Sequence, residues 1–106
     1  MKEMITILDA NHYPAVGFNF SNSVYASVLA AGVPEVVTIP TAAKKVIFSA
    51  TSDFYVKFGG AAAVPSTEVA DGTASILNPQ LRSIDAVTTI GIISPTTCIV
   101  TMEFYA

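Results

Sequence analysis

Glu68 and Asp71 come nearest to a chemically useful pair in this chain. Carboxylates three positions apart meet on one turn of helix, and with Asp85 they could offer oxygens to a hard cation. Ca²⁺ takes about six to eight oxygens from a compact loop. This segment supplies two carboxylates with Thr73, Ser75 and Asn78 nearby, too sparse a set, so the acids read as a solvated loop. No metal or other cofactor is expected.

Nucleophilic chemistry has even less to draw on. Cys98 is the only cysteine and His12 the only histidine. A reactive thiol needs an electropositive setting and a base within reach, yet Cys98 alternates with apolar residues on a strand and His12 sits in a distant polar turn. One cysteine excludes an intrachain disulfide and a multi-cysteine metal site. The serines have no Gly-x-Ser-x-Gly elbow, and Gly59-Gly60 runs into alanines instead of the Gly-Lys-Ser/Thr of a phosphate loop. A barrel metal site would need several histidines. The chain is therefore not expected to be an enzyme.

Aromatic residues are the remaining candidates. Tyr55, Lys57 and Tyr105 fall on the polar side of their strands, where they suit a glycan platform or an oligomer contact. In the N-terminal segment Tyr13, Phe18 and Phe20 are apolar groups without a clear internal partner. These six are the expected interaction residues.

The elements that must position them follow a period of two. Cys98, Val100, Met102 and Phe104 share one face of a strand against Ile99, Thr101, Glu103 and Tyr105. The same alternation appears in Val46, Phe48 and Ala50, and in Phe54, Val56 and Phe58. Val24–Ala31, Val36–Ile39, Lys45–Ala50, Phe54–Phe58, Leu81–Ile84, Thr88–Ile93 and Thr97–Tyr105 are the expected strands. Thr51, Ser52 and Asp53 are read as a tight hairpin turn between two of them. The segment from Gly59 to Pro79 is a long connection, with a helical turn expected over Thr67–Ala70. Such spacing predicts an all-β fold, a compact antiparallel β sandwich or barrel of jelly-roll-like form. The core would hold Val46, Phe48, Phe54, Val56, Phe58, Val100, Met102 and Phe104. Residues 24–106 form this domain; residues 1–23 are either an N-terminal arm that packs on a neighbour or an ordinary first strand.

Composition agrees. Val, Ile and Thr account for 33 of 106 residues, types that suit a pleated, half-buried surface. Charged residues are only 12% of the chain, about half the usual share, and such an exterior favours self-association. The net charge of −3, with just five basic residues and no basic stripe, argues against nucleic acid as a partner. Val24–Val33, the longest nearly apolar run, is far shorter than the ~20 residues of a membrane helix. Met4–Leu8 is too short for a signal-peptide core, so synthesis in the cytoplasm and no membrane association are expected.

The stretches Val33–Pro40 and Lys45–Gly59, with Val64-Pro65, Asp71-Gly72-Thr73, Leu77-Asn78-Pro79, Ile90–Ile93 and Cys98–Tyr105, resemble small virion structural proteins of tailed bacteriophages. Some members of that group are capsid decoration (cement) or head-fibre-base proteins. The resemblance covers roughly residues 24–105. It implies a virion protein that binds and stabilises the assembled capsid, with the major capsid protein or other virion proteins as partners and a homotrimer or other symmetric oligomer as its form. The alternative is a head-surface, fibre or tail module that recognises a host glycan.

Overall fold

The computed structural model describes residues 1–8, 11 and 14–106, with backbone alone at 6–8 and 14–17. It is all-β, and the described residues contain no helix. The strands are β1 (Thr6–Leu8), β2 (Pro14–Phe18), β3 (Ser23–Leu29), β4 (Glu35–Thr38), β5 (Lys45–Ala50), β6 (Tyr55–Phe58), β7 (Ile76–Leu77), β8 (Leu81–Ser83), β9 (Thr89–Ile93) and β10 (Cys98–Tyr105). One sheet has the order β3-β10-β5-β8 and the other β4-β9-β6-β7, with every pairing antiparallel. From β3 onward the chain changes sheet at each step except β6 to β7, which is the winding of a double-sheet jelly roll.

That winding corrects the expected hairpin between β5 and β6. β5 pairs with β10 and β8, whereas β6 pairs with β9 and β7. Thr51–Phe54 instead carries the chain across the layers, and a few extended residues span the ~10 Å between packed sheets. Phe48 and Phe54 then meet across the interior with ring centroids 5.9 Å apart. A period of two marks the inward face of each strand but not which sheet it joins, so both arrangements satisfy the same pattern.

The core lies between the sheets. Val46, Phe48, Phe54, Val56, Val100, Met102 and Phe104 are buried, as expected, together with Leu29, Ile84, Ile90, Ile92 and Cys98. Phe58 is half-buried and packs against this cluster. The long connection is shorter than it reads in sequence, because Ile76–Leu77 forms β7 against Tyr55 and Val56. No helical turn forms at Thr67–Ala70.

β1 and β2 pair only with each other. The chain measures 52 Å along its longest axis against 27 and 26 Å across it, and its radius of gyration is 15.2 Å; a compact chain of this length has about 13 Å. The excess agrees with a hairpin set apart from the sandwich.

Candidate interaction surface

Of the six expected interaction residues, Phe18 and Phe20 are exposed, at 52% and 74%. Phe18 lies on β2, paired to Thr6. Phe20 is held in place despite its exposure, because the Lys2 ammonium sits 3.4 Å from the centre of its ring, a cation–π contact. Tyr13 and His12 lie outside the described residues.

Below these rings the hairpin is fastened to the body by a set of hydrogen bonds. Asn19 bridges the two arms: its side-chain oxygen accepts from the Ile5 N–H at 3.0 Å and its amide nitrogen donates to the Glu3 carbonyl at 2.8 Å. The Asn22 side chain accepts from the Lys2 N–H at 2.9 Å, and the Lys2 carbonyl accepts from Ala106 N–H at 2.8 Å. Ser21, itself buried, donates to the Phe104 carbonyl at 2.6 Å.

Tyr105 completes this base, and its position corrects the sequence reading. The alternation of β10 places it on an open sheet face, but it is buried, with its hydroxyl donating to the Asn19 carbonyl at 2.6 Å. Burial, with a smaller push from Glu103, raises its pKa above the ordinary 10.0. The alternation on β10 holds, and residues 19–22 return to cover the strand's last outward position, a tertiary contact that no local pattern announces. Tyr105 is therefore a structural clasp and not a contact residue.

Tyr55 and Lys57 lie on the other sheet, so the structure does not bring them together with Tyr105. Both are half-buried. Lys57 donates to the Thr73 carbonyl at 2.7 Å, tying the long connection to the sheet. The start of that connection passes over Gly91 so closely that a Cβ there would stand 2.1 Å from the Gly60 carbonyl oxygen. Gly91 lies opposite both Lys57 and Val36 in the sheet, so the connection covers part of the face proposed as a glycan platform.

The loop acids do not gather. Asp71 accepts from both the Thr73 hydroxyl, at 2.6 Å, and the Thr73 N–H, at 3.1 Å; these bonds hold its carboxyl below the ordinary value near 3.8. Among the described residues no three His, Cys, Asp or Glu side chains could share a metal ion. Cys98 is 1% exposed, and its thiol contacts the Ser52 carbonyl at 3.5 Å. Burial pushes this thiol up, hydrogen bonding by Ser52 and Thr51 pulls it down, and the balance falls below the ordinary value; burial nonetheless denies it a reaction partner.

Two features escaped the sequence reading. An open crevice of about 330 Å³ lies along the crossing from β5 to β6, lined by Ser49, Thr51, Asp53, Asn78 and Gln80 among others. Asn78 braces it: at a φ of 47° its side chain accepts from the Phe54 N–H at 3.0 Å and donates to Asp53 at 2.8 Å. Asn is among the few residues that tolerate this left-handed backbone, and the Asn78-Pro79 pair was the available signal. The second feature is the outer face of the β3-β10-β5-β8 sheet. Val24, Val28, Leu81 and Ile99 are exposed there, and the registers Val28 to Ile99 and Val24 to Glu103 to Ile47 to Leu81 place them in rows. The signal was Ser23–Leu29 itself, a strand without a charged residue.

Comparison with known proteins finds no matching family model, no matching curated protein and no matching solved structure.

Proposed function

We propose that this chain is a structural protein of a tailed-bacteriophage virion, without a catalytic role, that binds the assembled capsid and stabilises it as a decoration (cement) protein does. The observation that carries this reading is the N-terminal hairpin, clasped at its base to the last strand and presenting Phe18 and Phe20. A reinforcing protein needs a rigid body, which a jelly-roll core provides. It also needs a projection whose apolar side chains a groove between capsid subunits can desolvate. Binding only to the assembled shell would then favour assembly by mass action. The partners on this reading are the major capsid protein or another virion protein and further copies of the chain in a symmetric arrangement, not nucleic acid or membrane. The chain is made in the host cytoplasm and resides in the virion. Electron microscopy of purified particles tests this directly: density for the jelly roll on the outer shell is expected, and particles that lack the polypeptide altogether would contradict it.

A second reading, a head-surface, fibre or tail module for a host glycan, draws support from the crevice. Its volume lies at the low end of ligand sites, and Ser49, Thr51 and Gln80 offer hydroxyl and amide groups there. Saturable binding on a glycan array that is lost in Gln80→Ala would favour it over the first.

A further inference from the structure

We propose that β3 is a docking edge for a second copy of this chain, the two copies pairing antiparallel about a two-fold axis at Ala26. β3 is the outermost strand of its sheet. Its free hydrogen-bonding groups can be assigned from its neighbour β10. The Ile99 N–H donates to the Thr51 hydroxyl and the Ile99 carbonyl accepts from the Thr51 N–H, while the Tyr105 carbonyl accepts from Lys44 N–H. The odd-numbered residues of β10 therefore face β5, and the even-numbered ones face β3, because peptide groups alternate sides along a strand. In the register Cys98 to Leu29, Val100 to Ser27 and Met102 to Tyr25, the odd-numbered residues of β3 are the ones engaged. The N–H and C=O groups of Val24, Ala26 and Val28 point out of the sheet.

Edges of this kind are templates for another strand unless charge, proline, a bulge or shortness protects them. The other three edges of the two four-stranded sheets are protected: β4 carries Glu35, β8 carries Arg82 and has three residues, and β7 has two. β3 has seven residues, Ser-Val-Tyr-Ala-Ser-Val-Leu, and none of these devices. Its sequence also selects the occupant. With the axis at Ala26, each outward-pointing residue meets another: Val24 lies opposite Val28 of the second copy, and Ala26 opposite its own equivalent. Every such pair can exchange both backbone hydrogen bonds. The two valine pairs fall on the exposed outer face, at 52% and 71% exposure in the single chain, and no like charges oppose each other. Pairing would join the two sheets into one.

A seven-residue pairing is smaller than the ~1,200–2,000 Å² of a standard interface, so association is expected to be concentration-dependent. The inference does not rest on the virion reading, and the purified full chain alone tests it. Sedimentation equilibrium from about 10 to 500 μM, the range of weak interfaces, is expected to show the mass rise from 11.1 kDa towards twice that value. Ala26→Cys places two thiols across the axis, with Cα atoms about 5.5 Å apart and within disulfide range. It should oxidise to a covalent dimer much faster than Val36→Cys on the opposite sheet, while buried Cys98 contributes no background. Ala26→Pro removes an outward N–H without touching the β10 ladder and should leave a folded monomer; Ala26→Lys, which sets two ammonium groups at the axis, serves if the proline variant misfolds. A mass of 11.1 kDa at every concentration, a trimer, or an Ala26→Cys chain that cross-links no faster than Val36→Cys would overturn the proposal.

Discussion

The Tyr105 hydroxyl donates a 2.6 Å hydrogen bond to the Asn19 carbonyl, so the last strand of the jelly roll is tied to the base of the N-terminal hairpin. Ser21 to Phe104 and Ala106 to Lys2 repeat the connection on either side. The result is a projection with a fixed root: β1 and β2 pair only with each other, while the residues below them are built into the body.

Tyr105→Phe removes the donor and leaves the part-buried Asn19 carbonyl without it. The expected cost is about 1 kcal/mol, a fall of roughly 4–8 °C in Tm for a domain of this size. Hydrogen exchange at Ile5 and Asn19 should accelerate while the amides of β5 and β10 stay protected.

The same bond sets an alkaline limit. Tyr105 has its pKa raised by burial and by Glu103, so its contribution is complete below the ordinary value of 10.0 and is lost as pH rises through the raised one. Phenolate absorbance should therefore show a tyrosine that ionises above the ordinary value, and that ionisation should coincide with loss of protection at Asn19. In Tyr105→Phe that late titration should vanish.

Gly91→Ala forces a Cβ to within 2.1 Å of the Gly60 carbonyl oxygen and 2.8 Å of the Ala62 nitrogen. Both are backbone atoms and cannot rotate away. Overpacking of this kind costs about 1–3 kcal/mol. A thermal melt should record the loss, with the Lys57 to Thr73 tether weakened as the connection lifts from the sheet.

Phe54→Ala and Phe104→Ala each empty a site in the core, where the rings are 3% and 0% exposed. The expected loss is about 3–5 kcal/mol in denaturant unfolding. Loss in both variants would support one core shared by the two sheets. Native Cys98, 1% exposed, should resist thiol reagents until either variant or denaturant opens that core.

The sequence discloses the jelly roll through the inward positions more than through the connections. Phe48, Phe54 and Phe104 are legible as buried because each belongs to a run with period two. The sheet each strand joins is not legible, since Thr51–Phe54 satisfies a hairpin and a crossing between layers alike. Phe18 and Phe20 stand exposed, but Tyr105 reads as a surface residue because only a tertiary contact from Asn19 covers it. The exposed edge of β3 was hidden by its own regularity: Val24 to Leu29 reads as any apolar strand until its neighbours are known. Asn78 carried a turn signal in its pairing with Pro79, yet its bonds to Phe54 and Asp53 depend on a crossing that no local pattern announces.

Binding to assembled shells by wild-type chain and by a Phe18→Ser, Phe20→Ser double variant is the most direct test of the proposed role. Both side chains are exposed and lie outside the core cluster, so the double variant should melt like wild type. The wild-type chain should pellet with assembled capsids and remain soluble with dissociated capsid subunits. The double variant should bind the shells at least about thirtyfold more weakly, the loss of more than 2 kcal/mol that buried aromatic anchors typically carry. A wild-type chain that stays in the supernatant with every shell tested, or a double variant that binds as tightly as wild type, would contradict the account.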